Sequence, residues 1–152
     1  MTHLLLLTHA GTTLFLTGLI WLIQVVHYPM FALVGREAFH DYHLAHVKLI
    51  TPVVGPPMLI ELFCAVALLV MRPAEIPSWA PSIGLALLAV VWISTALLQV
   101  PAHNALGAGL DLDIATRLSH SNWLRTAAWT ARSGIALYMV WLVMSARQPL
   151  LQ

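Results

Sequence analysis

The stretch FHDYHLAHVK, residues 39 to 48, places His40, His43 and His46 at steps of three, in a chain with only seven Lys+Arg and six Asp+Glu. On a helix, positions i, i+3 and i+6 span an arc of about 120°. Two of these imidazoles can therefore reach one ion while the third serves another centre. Neutral imidazole ligates zinc, copper, iron and haem iron, and carboxylate partners are at hand in Asp41, within the stretch, and Glu37, just before it. His27 closes the first apolar run, just before Tyr28-Pro29, at a depth where an imidazole without a partner is costly. His103 follows the third apolar run. This pattern points to a transition metal (Fe, Cu or Zn) or haem held by His27, His40, His43, His46 and His103. Neither HExxH nor a pair of CxxC motifs is present, so no specific metal signature supports it. Substrate or proton handling and a solvated interfacial helix are the alternative readings of HDYHLAH.

The elements that must position these residues follow from composition. The 152 residues are 60% hydrophobic and 9% charged, with mean hydropathy +0.84, whereas soluble domains carry about 25% charged residues. The chain reads as an integral membrane protein. The single cysteine, Cys64, excludes an internal disulfide framework. A net charge of +1 without a basic run argues against nucleic-acid binding. LLLL has no basic leader before it and continues too long to be a cleavable signal.

Four segments reach the roughly 20 apolar residues that a bilayer requires: about Leu4 to Val26, Leu49 to Met71, Ile83 to Val100 and Trp123 to Met144. The expectation is an all-α, four-helix transmembrane bundle forming a single domain over 1–152. Two long connections, His27 to Lys48 and Pro101 to Asn122, fall on one side, and each is expected to contain a short interfacial helix. Six of the eight histidines lie on that side: His27, His40, His43, His46, His103 and His120. It also carries Arg36, Lys48, Arg117 and Arg125, against Arg72 and Arg147 opposite. The excess of positive charge predicts that the histidine face is cytoplasmic in a bacterial inner membrane.

Within the spans the few polar residues fall at helical spacing. Asn122, Arg125, Trp129 and Arg132 share one face. So do Trp92, Thr95, Gln99 and His103, while His9, Thr13, Thr17, Gln24 and His27 lie close to another stripe. Pro57, Glu61 and Cys64 form the fourth. These stripes should meet inside the bundle. Glu61 lies about 12 residues into its span, so roughly 18 Å deep, with Arg132 at a comparable depth. A lone charge at mid-membrane costs about 2.5–3.5 kcal/mol even on the lenient insertion scale. The two should pair or face one polar cavity.

QVPAHNALGAG, residues 99 to 109, and SNWLRTAAWTAR, residues 121 to 132, carry a pattern that resembles the anthrone oxygenase-like family of small four-helix membrane proteins. The shared features are Pro101 with Asn104 three residues on, and Trp123, Arg125 and Thr126 behind Asn122, within roughly the last third of the chain. The resemblance implies a polar site containing Asn104, Asn122 and Arg125, walled by Trp123 and Trp129. HYPMF and HDYHLAH depart from it, being richer in histidine.

The leading functional expectation is a membrane oxidoreductase or oxygenase acting on a hydrophobic, aromatic or quinol-type substrate that enters from the lipid bilayer. Glu61 would be the acid or base, and Arg125 and Arg132 would stabilise an oxyanion. Asn104, Asn122, Gln24, Gln99, Trp92, Trp123 and Trp129 would bind the substrate. The competing expectations are an accessory subunit of a respiratory or photosynthetic complex, or a metal-handling or transport protein. Homo-oligomers and larger membrane complexes fit either class.

Overall fold

The structure, a computed structural model, describes residues 2–146; Arg147, counted in the charge balance above, lies outside them. Four helical runs make up the bundle: α1 (Thr2–Leu33), α2 (Arg36–Met71), α3 (Trp79–Leu106) and α4 (Leu112–Ser145), each long and apolar enough to cross a membrane. The described residues form an all-α, multi-pass membrane architecture. Consecutive helices are antiparallel neighbours: α1 packs extensively on α2 and α4, α3 packs on α4, and α2 meets α3 more sparingly. This unequal closure leaves the α2–α3 seam as the weak side of the ring.

The exterior is apolar and the interior holds the polar stripes. Val70, Phe63 and Leu97 point outward, whereas Glu61, Asn122, Arg132 and Thr13 are fully or almost fully buried. Three apolar layers stack along the bundle. The middle one is built on Leu16, Ile20, Met58, Leu88, Val91 and Trp129. One end is built on Tyr28, Phe31, Phe39 and Leu118, and the other on Leu6, Leu68, Ile76 and Met139.

The helical stretches expected in the two long connections are present, but as continuations of the spans. Residues 23–33 extend α1, 36–48 open α2, 100–106 extend α3 and 112–122 open α4. The true turns are short. Gly109 adopts φ +140°, a region that only glycine enters at low cost. Asp111 then caps α4, its Oδ1 accepting from the Asp113 and Ile114 amides at 2.9 and 3.0 Å. That is the side-chain oxygen an N-cap position supplies. The helices therefore stand taller than the apolar spans, and their amphipathic ends carry the histidines.

Two of these ends are locally rewound. Ile23–His27 in α1 and Thr95–Gln99 in α3 are π turns, closed by the Tyr28 amide on the Ile23 carbonyl and the Val100 amide on the Thr95 carbonyl. Each is followed, one residue later, by a proline, Pro29 or Pro101. Proline has no N–H and its ring crowds the carbonyl four residues back, and a turn widened by one residue relieves both problems. π turns of this kind cluster at functional sites. Here they carry His27 and Gln99.

Candidate functional site

Four imidazoles from three helices converge at the end of the bundle where both π turns lie. α1 supplies His27, α2 supplies His43 and His46, and α3 supplies His103. His27 Nε2 lies 2.8 Å from His46 Nδ1, and His43 Nε2 lies 3.1 Å from His103 Nδ1. The His46 and His103 rings stack at 5.7 Å between centroids, joining the two pairs. In each pair one nitrogen carries the proton and the other accepts it. The Tyr28 hydroxyl reaches His103 Nε2 at 3.1 Å and also meets the Arg125 guanidinium. A continuous polar chain thus runs Arg125–Tyr28–His103–His43.

An aromatic floor holds the rings. Phe31, fully buried, sits edge-on to His27 at 5.2 Å and to His46 at 5.5 Å. It also meets His43 at 6.0 Å and His103 at 6.4 Å. Phe39 stacks on His43 at 5.7 Å. Edge-to-face contacts of this kind add about 0.5–1.5 kcal/mol beyond burial, and they fix ring orientation as well. Among the described residues, no three His, Cys, Asp or Glu side chains are already arranged to hold a metal ion. The four imidazoles are arranged as two proton-sharing pairs.

Beside the imidazoles is a cavity of about 380 Å³, within the usual range for small-molecule sites. His46, His103, Tyr28, Gln99, Asn104 and Arg125 supply its polar lining. Val47, Ile50, Val54 and Val100 supply its apolar side. Val47 and Val100 are also exposed on the outside of the bundle, so the cavity opens towards the lipid through the α2–α3 seam. Behind it, a second network cross-ties α1 to α4. Arg125 donates to Asn122 Oδ1 at 3.0 Å, Asn122 Nδ2 donates to Gln24 Oε1 at 2.9 Å, and Gln24 Nε2 donates to the Ser119 carbonyl at 3.1 Å. Gln99 Nε2 donates to Ser121 Oγ at 3.1 Å.

Deeper in the bundle lies a separate charged cluster. Glu61 and Arg132 form a buried ion pair, the first of the two arrangements expected from their comparable depth. Thr13 donates to Glu61 Oε1 at 3.1 Å, and His9 Nε2 lies 3.0 Å from Arg132. Arg132 also donates to the Gly84 carbonyl. An added Cβ at Gly84 would stand 3.2 Å from the guanidinium, so the glycine makes room for it. Seven residues separate Arg125 from Arg132, roughly 10 Å along the helix, and Trp129 and Met58 fill the layer between.

The expected site residues therefore divide. His27, His43, His46, His103, Gln99, Asn104 and Arg125 come together around the cavity, with Asn122 and Gln24 behind Arg125. Glu61 and Arg132 join each other and not the cavity. His40 is exposed and turns away, its Nδ1 2.7 Å from the Gly107 carbonyl. Trp123 faces outward in edge contact with Trp21 at 5.7 Å, and Trp92 and Trp129 belong to the apolar middle layer. Sequence reasoning did not single out Phe31 or the partner role of Tyr28. His9 is buried, as its place on the stripe with Thr13 and Gln24 predicts.

The two arginines differ in one respect. Arg132 has its carboxylate. Arg125, equally enclosed, contacts only neutral groups, and among the described residues no carboxylate pairs with it. No family model, curated protein or solved structure matches the chain.

Proposed function

We propose that this chain is a membrane oxidoreductase that takes a hydrophobic aromatic or quinol-type substrate from the bilayer into the cavity beside the four histidines. The observation that carries this reading is the cavity itself. Its mouth is apolar and opens to lipid, while its inner lining brings together imidazole, phenol, amide and guanidinium groups. A substrate oxygen at that end meets groups able to give or take a proton, next to a site for a redox ion. His27, His43, His46 and His103 are the ligands we assign, without His40. Two nitrogens on one tetrahedral ion stand about 3.3 Å apart, given metal–nitrogen bonds of about 2.0–2.1 Å. The two imidazole pairs, at 2.8 and 3.1 Å, fall about 0.5 and 0.2 Å short of that spacing. An ion replacing a shared proton therefore asks for small ring movements. Iron or copper would supply the electron transfer when bound. The oxygenase form of the reading draws on the resemblance in the last third of the chain.

Orientation belongs to the same proposal. With Arg125 and Arg132 buried, the exposed cations at the histidine end are Arg36, Lys48 and Arg117, which supports placing that end in the cytoplasm of a bacterial inner membrane. The deciding experiment is elemental analysis with an optical spectrum on detergent-purified protein. The expected result is stoichiometric iron or copper, lost in His46→Ala and His103→Ala and retained in His40→Ala. Protein reconstituted with iron or copper that shows no stoichiometric uptake would sink the redox reading.

A further inference from the structure

The contrast between the two arginines points to the chemistry of the cavity's occupant. Both lie on the inner face of α4, seven residues apart, and both are almost entirely buried. Arg132 is neutralised by Glu61. Arg125 is held by the Asn122 amide oxygen and the Tyr28 hydroxyl, neither of which carries charge at neutral pH. Its Nε is buried without a hydrogen-bond partner. The other cavity-lining groups that titrate, His46 and His103, contribute no negative charge in any protonation state. A fixed cation in a low-dielectric site attracts an anion strongly when no counter-charge neutralises it, and among the described residues this one has none, while the cavity it lines has neutral polar groups around it and an aliphatic mouth.

We infer that the cavity binds a lipid-soluble oxyanion, a carboxylate or phenolate head on an apolar body, with the head paired to Arg125 and the body leaving through the α2–α3 seam past Val47 and Val100. Arg125 is suited to this because a guanidinium pairs with two oxygens of a planar head at once. The seam is suited because it is the least closed side of the bundle and its rim is aliphatic. The inference uses the cavity of the proposed oxidoreductase and narrows its substrate to one that is ionised when bound. It does not require the histidines to hold a metal.

The test uses the whole chain, prepared free of metal, in phosphatidylcholine discs. Saturable binding is followed by fluorine NMR for ω-trifluorodecanoate, for ionised dichloro(trifluoromethyl)phenolate and for the neutral control ω-trifluorodecanol. The expected result is at least one anion binding tenfold or more tightly than the alcohol, and the tighter anion identifies the head. Arg125→Gln should abolish that preference, Arg125→Lys should keep most of it, and Val47→Trp should block all three ligands. Competition by added phosphatidylglycerol would assign the Arg125 pairing to the phosphate of a bilayer lipid. Equal affinity for anions and alcohol would overturn the inference, as would anion binding unchanged in both Arg125→Gln and Val47→Trp. If Arg125→Gln does not fold, the ratio of anion to alcohol and the Val47→Trp result decide it. Metal uptake without anion preference refutes this inference alone, and anion preference without metal uptake refutes the redox reading alone.

Discussion

At the scale of single residues, the candidate site depends on side chains that touch the histidines as much as on the histidines. Phe31 meets all four rings edge-on, so truncation should both create a cavity and release the imidazoles. Phe31→Ala is expected to cost about 3–5 kcal/mol, read by thermal unfolding in detergent. Phe31→Leu should cost less than half of that, yet still lower metal uptake, because a leucine fills space without presenting a ring. Equal metal uptake by wild type and Phe31→Leu would reduce the phenylalanine to packing. A second expectation concerns pH. A ligating nitrogen must give up its proton, so metal and proton compete. Occupancy should fall as the pH is lowered, measured by equilibrium dialysis, and occupancy that does not depend on pH would point away from imidazole ligands. Spacing alone indicated His43 and His46, but it also indicated His40. At about 100° per residue, His40 lies some 120° around α2 from His46, and that angle carries it to the Gly107 carbonyl. The role of Phe31 was not legible, because one apolar residue in MFALV looks like any other until the helices meet.

At the scale of elements, the site is made where α1 and α3 depart from regular α-helix. Both departures have the same local form, a residue that reaches the site, one more residue, then proline: His27-Tyr28-Pro29 and Gln99-Val100-Pro101. A widened turn shifts everything on one side of it by about one residue, or 100° of helix. The Pro101→Ala change restores an N–H and removes the ring clash, so α3 can return to regular winding. The expected outcome is a chain that stays folded, with thermal stability within about 1 kcal/mol of wild type, but takes up less metal and less ligand. His103 and Gln99 then no longer keep the same angular relation. A Pro101→Ala protein with unchanged uptake would show that the π turn is incidental. The four spans were legible from apolar length, since few charges interrupt them. The helical extensions were harder to place, because an amphipathic end such as EAFHDYHLAHVK reads as a connection once its hydropathy falls. What it does is continue α2 beyond the apolar zone and lift His43 and His46 to the level of His27 and His103.

At the scale of the whole molecule, the interior has two polar layers, and they call for different tests. The upper layer, with the histidines and Arg125, opens to a cavity. The lower layer, with Glu61, Arg132, His9 and Thr13, is closed and ties α1, α2, α3 and α4 together at one depth. Such a cluster sets the register of the helices, because any slide or rotation separates charges that have no water to receive them. Removing one partner of a buried ion pair costs about 3–5 kcal/mol, whereas replacing both can be close to neutral. Glu61→Gln and Arg132→Met should therefore each destabilise strongly, and the double variant should be markedly more stable than the sum of the two losses. Gly84→Ala should have a smaller effect of the same sign, since its new Cβ displaces the guanidinium by a few tenths of an ångström. Thermal unfolding of the detergent-solubilised variants measures these differences. Metal uptake and anion binding by the double variant supply the control, and both should match wild type, because the Trp129 layer separates the two sites. Strict additivity would show that Glu61 and Arg132 act independently. Loss of anion binding in a folded double variant would show that the lower layer belongs to the working site, and would return Glu61 to the acid or base role that its sequence position first indicated.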